Sequence, residues 1–428
     1  MISPFEFKST HYLAVSVALF AVLFAAIFVL PDSQAATAAS QPLLVMAPVP
    51  QAPGDQESDG VSAEDRYHTA LLKGRDLAKQ WRSLSLRFFD GSLAESRQWK
   101  DKWPELAKEL AEHRPVFEQA AIDWFIEAKN PDDDLLRLVS AISAQTYDTG
   151  DLETTWNLLQ KLKNFFPEEN DMELQCRISL VAIKTNRFDY ALDFLRRPGA
   201  KDAVDALGQL DKNMFLLCPI MARKWQREEE LRQKELEADD LPRVKIQLST
   251  GEVIFELFEN EAPQVVANFI NLVESGYYDD SYCHPHVKNI VVQSGMQNRN
   301  FNVPIDYMIK NESRSEDARD HFKGSLTMAS LSSELTAPTA FAVTLSPNPE
   351  LDWDRTEKDK ISQPVFGRVV SGMKHVMALP VTMEIDEETQ EQSEIKDVTP
   401  GYIEKATIIR KRDHEYTYEK IRRPQEKK

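Results

Sequence analysis

The stretch of sequence that most restricts the fold begins at Arg243. In "RVKIQLSTGEVIFELF", residues 243–258, apolar and polar side chains alternate on both sides of Thr250-Gly251, a dipeptide that favours a turn. Alternation with a period of two predicts strands with one buried face. In "NEAPQVVANFINLVESG", which follows, Pro263 suits the first position of a helix and Gly276 its end. The sequence predicts a β-hairpin followed by an amphipathic helix.

Four further short segments have the apolar, β-branched character of strands. They are "NIVVQSG", "GSLTMAS", "TAFAVTL" and "PVFGRVV". A hairpin, a helix and then strands in antiparallel order predict a β-barrel closed by helices, over residues 243–412. The remaining residues, 413–428, include five basic and four acidic side chains, and we expect a disordered tail there.

These segments resemble the cyclophilins, a family of barrel-shaped peptidyl-prolyl cis-trans isomerases. "GEVIFELFENEAPQVVANFINLVESGYYDD" is similar to the start of such a domain. "VVQSG", "HFKGSLTMAS", "FAVTL" and "VFGRVVSGMKHV" follow in the family's order and approximate spacing. The resemblance implies a closed barrel that acts on proline-containing polypeptides, assists protein folding and requires no cofactor.

The family's catalytic arginine stands in a Phe-His-Arg-Val motif, and this chain lacks it. A count without gaps over "SYCHPHVKNIVVQSG" puts Cys283, His284 and Pro285 at the phenylalanine, the histidine and the arginine. One insertion and one deletion would instead align His286 with the arginine, which makes His286 the candidate catalytic residue. An imidazole offers one donor where a guanidinium offers a rigid, permanently charged fork. The resemblance therefore implies weak or absent turnover.

The residues that would contact the proline ring are only partly retained. Gln293 and Ala329 match the family, and Ile290 and Val291 stand at its aromatic and methionine positions. Phe341 is counted as the second pocket phenylalanine, with Ala340 replacing the first. We expect Gln293, Ala329, Phe341, Ile290 and Val291 to bind substrate, although core packing alone would also explain these residues. His321, in "HFKG", is expected to be exposed and to serve packing or a turn.

Cys283, His284 and His286 also suggest a metal site. These three positions are too close together for the usual ligand spacing, and no distant ligand pair is found, so no metal is predicted.

Residues 63–222 have a helical pattern with few glycines. Gly150 and Asn186 stand 36 residues apart at similar helix ends, so the region resembles tetratricopeptide repeats, whose concave faces bind partner proteins. A plain helical spacer would give the same pattern. Residues 223–242 are almost purely charged and predict an exposed helical linker without a partner of its own.

The N-terminus contains nineteen uncharged residues, Tyr12–Leu30, preceded by Lys8. About 20 apolar residues cross a bilayer, so residues 1–38 are expected to anchor the chain by one transmembrane helix, with the bulk of the protein on the periplasmic side of the cytoplasmic membrane. "SQAATAAS" allows the alternative of a cleaved signal and a secreted protein. Residues 39–62, rich in proline, alanine and glutamine, predict a flexible linker. The net charge of -18 argues against a nucleic-acid partner.

The sequence thus predicts a multidomain α + β protein. It would have an N-terminal transmembrane helix, a helical tetratricopeptide-like middle region and a C-terminal closed barrel of cyclophilin type. Its predicted function is weak peptidyl-prolyl isomerisation in extracytoplasmic protein folding. The alternatives are a catalytically inactive module that grips proline-containing segments and an envelope scaffold.

Overall fold

The structure, a computed structural model, describes most of the chain between residues 61 and 422. The described residues are 61–90, 93–166, 172–298, 305–354, 356–357, 360–386, 389 and 391–422. The chain divides into two compact units, Met1–Ala144 and Gln145–Lys428.

Two long helices dominate the described part of the first unit. Helix α1 spans Ala63–Asp90 and helix α2 spans Leu93–Glu127. Leu77 on α1 and Leu106 on α2 belong to one buried apolar cluster. Such amphipathic pairing buries the stripe that each helix cannot bury alone. The boundary between the units falls within the next helix, α3 (Asp133–Thr149).

The second unit begins with five helices in its described part. These are α4 (Leu152–Leu162), α5 (Met172–Lys184), α6 (Phe188–Leu195), α7 (Ala200–Asp205) and α8 (Gln209–Ala238), with a 3₁₀ turn at Lys163–Phe165. Gly150 and Asn186, the two predicted helix ends, both have left-handed backbones, with φ of 84° and 64°. Glycine and asparagine adopt this conformation most readily, and it ends a helix.

Twelve strands and two helices form the rest of the described second unit. The strands are β1 (Arg243–Leu248), β2 (Gly251–Leu257), β3 (Ser281–Val287), β4 (Val291–Asn298), β5 (Tyr307–Lys310), β6 (Ser325–Ser330), β7 (Leu335–Thr344), β8 (Val365–Ser371), β9 (Met383–Ile385), β10 (Gln392–Glu394), β11 (Gly401–Arg410) and β12 (Ile421–Arg422). The helices are α9 (Pro263–Glu274) and α10 (Met373–Met377), and a 3₁₀ turn covers Pro349–Leu351. The predicted hairpin and the helix after it are confirmed.

Eight of these strands close into a barrel. Their order is β3, β11, β1, β2, β8, β6, β7 and β4, and β4 pairs with β3 to complete the ring, with every pair antiparallel. Closure leaves no free edge on these eight strands. The predicted closed barrel is confirmed.

Side chains at alternate positions along the strands fill the interior of the barrel. Val244 and Ile246 of β1 are buried, and the Phe269 ring of α9 enters the same core. The centroid of Phe269 lies 5.4 Å from Phe341 and 5.1 Å from Phe366, within the range of favourable aromatic pairs.

The charged linker predicted at residues 223–242 is largely continuous with α8, and it contacts the barrel. Arg319, whose side chain is 1% exposed, lies 2.8 Å from a carboxylate oxygen of Glu228 and 3.4 Å from one of Glu261, and Glu235 also bonds to it. Phe322 of the barrel contacts Trp225 of α8, with ring centroids 4.7 Å apart. The charged segment therefore has a partner in the barrel, because its Glu228 and Glu235 neutralise the buried Arg319.

Residues 413–422, which the sequence assigns to a disordered tail, instead pack onto the barrel. Tyr416 is 9% exposed and belongs to the barrel core. Asn271 of α9 donates a hydrogen bond to the Tyr416 carbonyl at 2.9 Å, and Ile421 pairs with Met308. Tyrosine side chains supply the apolar area that the charge count overlooks.

The predicted fold class needs one correction. In the part of the chain that the structure describes, no helix is long and apolar enough to cross a membrane. The described part of the fold is therefore a helical region followed by a closed barrel, and none of its described helices is a transmembrane helix. Tyr12–Leu30, the basis of that prediction, lies outside the described residues, as do residues 1–38 and most of the linker at 39–62. The location of the protein stays a prediction.

Candidate functional site

The outer surface of the barrel carries a row of three paired residues on β4, β7 and β6. Gln293 pairs with Ala342, and Ala342 pairs with Thr327. Their neighbours along the strands, such as Val292 and Val343, lie in the core. Because side chains of a strand alternate between faces, the three residues point away from the barrel core. Gln293 is half-buried, whereas Ala342 and Thr327 are covered, with 8% and 0% of their surface exposed. We call them the outer row.

Gln293 is half-buried in the outer row, and its amide has a weak partner. Its Nε2 donates to the sulfur of Met296 at 3.0 Å, and Met296 is 53% exposed. A thioether is a poor acceptor, so a peptide carbonyl would replace it with a gain in hydrogen-bond strength. Of the predicted substrate-binding residues, Gln293 is thus the one with a polar group suited to that role.

Phe341 lies on the opposite face from Gln293. It is 3% exposed and contacts Phe255, Phe269 and Tyr278, with centroids 6.1, 5.4 and 5.3 Å away. Its ring is therefore part of the barrel core, and the outward residue beside it is Ala342. The alternation of Phe341, Ala342 and Val343 is the signal from which this orientation could have been read.

The other three predicted pocket residues are half-buried. Val291 pairs with Val287 and with Thr344, and Ile290 lies in the turn before it, donating its N–H to the Val287 carbonyl at 3.1 Å. Ala329 follows the core residue Met328 on β6. Of these side chains, Ala329 matches the family, while Ile290 and Val291 present aliphatic surface at its aromatic and methionine positions.

Strand β3 carries a bulge at the position of the missing arginine. Cys283 pairs with Ser294 and His286 pairs with Val292, so two residues, His284 and Pro285, face Gln293 alone. An extra residue in one strand re-aims the side chains that follow it. Neither side chain of the bulge is a guanidinium.

His286 is enclosed by the barrel wall. It is 2% exposed, its Nδ1 lies 3.1 Å from the Pro380 carbonyl oxygen, and its backbone N–H donates to Thr382. Burial lowers the pKa of His286 to about 4. In the neutral ring, Nδ1–H donates to Pro380 and Nε2 has no proton to donate. This placement does not favour the predicted catalytic role, which stays a prediction.

The suggested metal site has two further residues, His284 and Cys283. His284 Nδ1 lies 2.9 Å from Thr382 Oγ1. Burial raises the pKa of Cys283 to about 12, so its thiol is protonated. Within the described residues, no group of three or more histidine, cysteine or acidic side chains is placed to hold a metal ion.

A close backbone approach joins β4 to β7. Gly295 has φ of 79°, and a Cβ atom at this position would lie 2.1 Å from the Thr339 carbonyl oxygen. Only glycine combines this conformation with such a contact. The approach fixes the spacing of the strands beside the outer row.

A buried polar network includes Thr327 of the outer row. His321 is fully buried, contrary to the expectation that it is exposed; its Nδ1 lies 2.7 Å from Asp352 Oδ1 and its Nε2 lies 2.9 Å from Thr327 Oγ1. Thr327 in turn donates to the Pro364 carbonyl at 3.2 Å. No local pattern could predict this network, because its members are brought together by closure of the barrel.

An antiparallel eight-stranded barrel with a core helix defines the class of protein to which the chain is similar. The family model described as cyclophilin type peptidyl-prolyl cis-trans isomerase/CLD matches residues 243–400. The match covers most of the barrel and none of helices α1 to α8.

Two relatives support the same family. Peptidyl-prolyl cis-trans isomerase cypE of Dictyostelium discoideum is 30% identical over 138 residues, which are 32% of this chain and 83% of that protein. Peptidyl-prolyl cis-trans isomerase ppi1 of Schizosaccharomyces pombe is 32% identical over 133 residues, which are 30% of this chain and 79% of that protein. The chain belongs to the cyclophilin-type peptidyl-prolyl cis-trans isomerase family through its C-terminal barrel.

A crystal structure of a cyclophilin type peptidyl-prolyl cis-trans isomerase from Cryptosporidium parvum is also similar. It shares 23% sequence identity, covers 39% of this chain and 97% of its own, and gives a TM-score of 0.30. None of these matches confirms the tetratricopeptide resemblance of the helical region.

Proposed function

We propose that the barrel binds proline-containing polypeptide segments at the Gln293 end of its outer row and isomerises the X-Pro bond slowly. Support comes from membership of the isomerase family and from relatives whose names specify this activity. The reaction is a rotation about an amide bond with a barrier of ~18–20 kcal/mol. It forms and breaks no covalent bond.

The observation that carries the proposal is the contrast between Gln293 and Pro285. Gln293 retains an amide on the outer face whose donor is held, among the described residues, by a thioether. Pro285, in the facing bulge, has neither a side-chain donor nor a backbone N–H. The Gln293 amide can therefore bind a peptide. The charge-assisted donor that would favour the twisted amide is missing, because Pro285 stands in its place.

The missing donor sets the expected rate. One charge-assisted hydrogen bond contributes about 1.5–3 kcal/mol, and each 1.36 kcal/mol changes a rate tenfold. We expect turnover at least about a hundredfold slower than with an intact arginine site, which corresponds to about 2.7 kcal/mol.

A second candidate function is a binding module without turnover. The burial of His286 favours it, because this imidazole cannot replace the arginine as a surface donor. Both candidates require the same peptide-binding face. They differ only in the rate at which the bound bond rotates.

Two measurements on the full chain separate the candidates. Titration of a fluorescent X-Pro peptide tests binding, and two-dimensional exchange NMR of the same peptide measures cis-trans interconversion. Gln293→Ala should weaken binding, whereas Gln247→Ala, on the distant strand β1, should not. Slow exchange that Gln293→Ala abolishes supports the isomerase. Binding without any added exchange supports the module, and absence of binding refutes both.

A further inference from the structure

The segment between β7 and β8 borders the outer row, and one of its anchors is a buried carboxylate. We call its described residues, 345–354, 356–357 and 360–364, the site loop. Asp352, at the middle of the site loop, is 5% exposed. The loop also closes on itself, since the Gln363 N–H donates to the Leu351 carbonyl at 3.0 Å. The ends of the loop are held by other bonds, from Ser346 Oγ to the Asn289 carbonyl at 2.7 Å and from Asn311 Nδ2 to the Ser362 carbonyl at 3.0 Å, so Asp352 positions the middle of the loop.

Asp352 has partners from two different parts of the second unit. Its Oδ1 accepts from the backbone N–H of His321 at 2.9 Å and lies 2.7 Å from His321 Nδ1. Its Oδ2 accepts from Lys224 Nζ at 2.6 Å. Lys224 is on α8 and also donates to Asp320 at 2.7 Å. One ammonium from the helical region thus joins two carboxylates of the barrel.

The same network reaches the outer row. His321 Nε2 lies 2.9 Å from Thr327 Oγ1, and Thr327 pairs with Ala342, which pairs with Gln293. A short series of direct contacts therefore connects α8 to the strand that carries Gln293. Packed hydrogen-bonded networks of this kind transmit energetic coupling when an element has two arrangements.

Removal of the ammonium would act directly on the site loop. Asp352 and Asp320 would then face each other as carboxylates without their shared cation. Like charges at short distance repel, and a buried charge without a partner is unfavourable. Protonation of one carboxyl group, or movement of the site loop away from Asp320, relieves the repulsion, and in both cases Asp352 has lost its bond to α8.

We propose that Lys224 on α8 is a positioning residue for the peptide site, because through Asp352 it holds the site loop against the strands of the outer row. The inference rests on the proposed function of that face. The residue lies outside the matched range 243–400, so the helical region contributes to a site that the family model does not contain.

The test uses the full chain and three variants. Lys224→Met removes the cation, and Lys224→Arg keeps a charge able to reach both carboxylates. Lys212→Met is the matched control: it is on the same helix, its side chain is 31% exposed against 28% for Lys224, and its partner Asp205 lies in the helical region. Hydrogen exchange of the site loop is measured without peptide, and the dissociation constant of the X-Pro peptide is measured separately.

For Lys224→Met we expect faster exchange confined to the site loop and a peptide affinity roughly two- to thirtyfold weaker. Lys224→Arg should restore most of both, and Lys212→Met should change neither. Unchanged loop exchange in Lys224→Met would overturn the inference. Faster exchange with unchanged peptide affinity would also overturn it, since Lys224 would then stabilise the loop without positioning the site.

The measurements distinguish failure of the proposed function from failure of the inference about Lys224. If the wild-type chain binds no peptide, that function fails, while the exchange measurement still decides whether Lys224 holds the site loop. If Lys224→Met does not fold, the double variant Lys224→Met/Asp320→Asn removes one positive and one negative charge together. The same exchange and affinity changes are expected for it relative to Asp320→Asn.

Discussion

At the scale of single residues, burial of His286 makes stability depend on pH. The pKa of His286 is lowered to about 4 by burial, against about 6.5 for an exposed imidazole. Between these values the unfolded chain binds a proton that the folded chain does not. The free energy of unfolding therefore falls as pH falls from about 6.5 towards 4, by about 2–3 kcal/mol for this group.

The measurement is urea unfolding at several pH values for the wild type and for His286→Gln. A glutamine amide can still donate to the Pro380 carbonyl but does not titrate. The difference in stability between the two proteins should become smaller, or change sign in favour of the variant, as pH falls through that window. A difference independent of pH would contradict the placement of His286.

Gly295 provides a second residue-scale prediction. Gly295→Ala forces a Cβ to within 2.1 Å of a backbone oxygen, whereas Gly324→Ala, with φ of 86°, meets its nearest neighbour at 3.9 Å. The left-handed conformation alone costs about 1–2 kcal/mol in both variants. We expect Gly295→Ala to lose about 1–3 kcal/mol more, because its steric contact cannot relax. Equal losses in chemical denaturation would mean that the strands can separate.

At the scale of elements, the segment 413–422 is expected to stabilise the barrel. Tyr416 is largely buried, and its hydroxyl donates to Glu259 at 3.0 Å and accepts from the Arg412 N–H at 3.1 Å. Tyr416→Ala should reduce the free energy of unfolding by about 2–4 kcal/mol, as for other large buried side chains.

Thr417→Ala, at the adjacent exposed position, is the control and should change stability by less than about 0.5 kcal/mol. Thermal and urea unfolding followed by circular dichroism measure both variants. If Tyr416→Ala were as stable as the control, the segment would be dispensable, as the sequence alone had suggested.

At the scale of the whole molecule, α8 and the barrel share a buried charge cluster. Of the three carboxylates around Arg319, Glu228 and Glu235 lie on α8 and Glu261 lies in the barrel segment. We expect residues 243–428 to fold alone, because the closed ring has its own core, but with a lower melting temperature than residues 145–428. The separate barrel domain predicted from the sequence is tested by the same fragments.

Arg319→Met distinguishes the contribution of the cluster from that of chain length. In residues 145–428 it should cost about 3–5 kcal/mol, since three buried carboxylates lose a cation, although Glu228 keeps Arg232 and Glu235 keeps Arg368. In residues 243–428 the cost should be smaller, since only Glu261 remains. Equal costs in the two fragments, measured by urea unfolding, would show that α8 does not stabilise the barrel through Arg319.

The sequence by itself determined the local elements of the barrel and its family. Alternation at Val244 and Ile246, the turn at Gly251 and the helix beginning at Pro263 are properties of neighbouring residues, and the structure confirms them. The absence of an arginine from β3 is likewise visible without coordinates. Local periodicity and composition are enough for such features because each depends on a few consecutive side chains.

Only the tertiary structure decided what those side chains face. Closure of the barrel turns Phe341 inward and buries His286, and it joins Lys224 to Asp352 across 128 residues of chain. A one-residue difference in strand register reverses the face of every side chain, so orientation cannot be read from residue types alone. Ion pairs between distant segments leave no local periodicity in the sequence, because they form only when the segments are packed together.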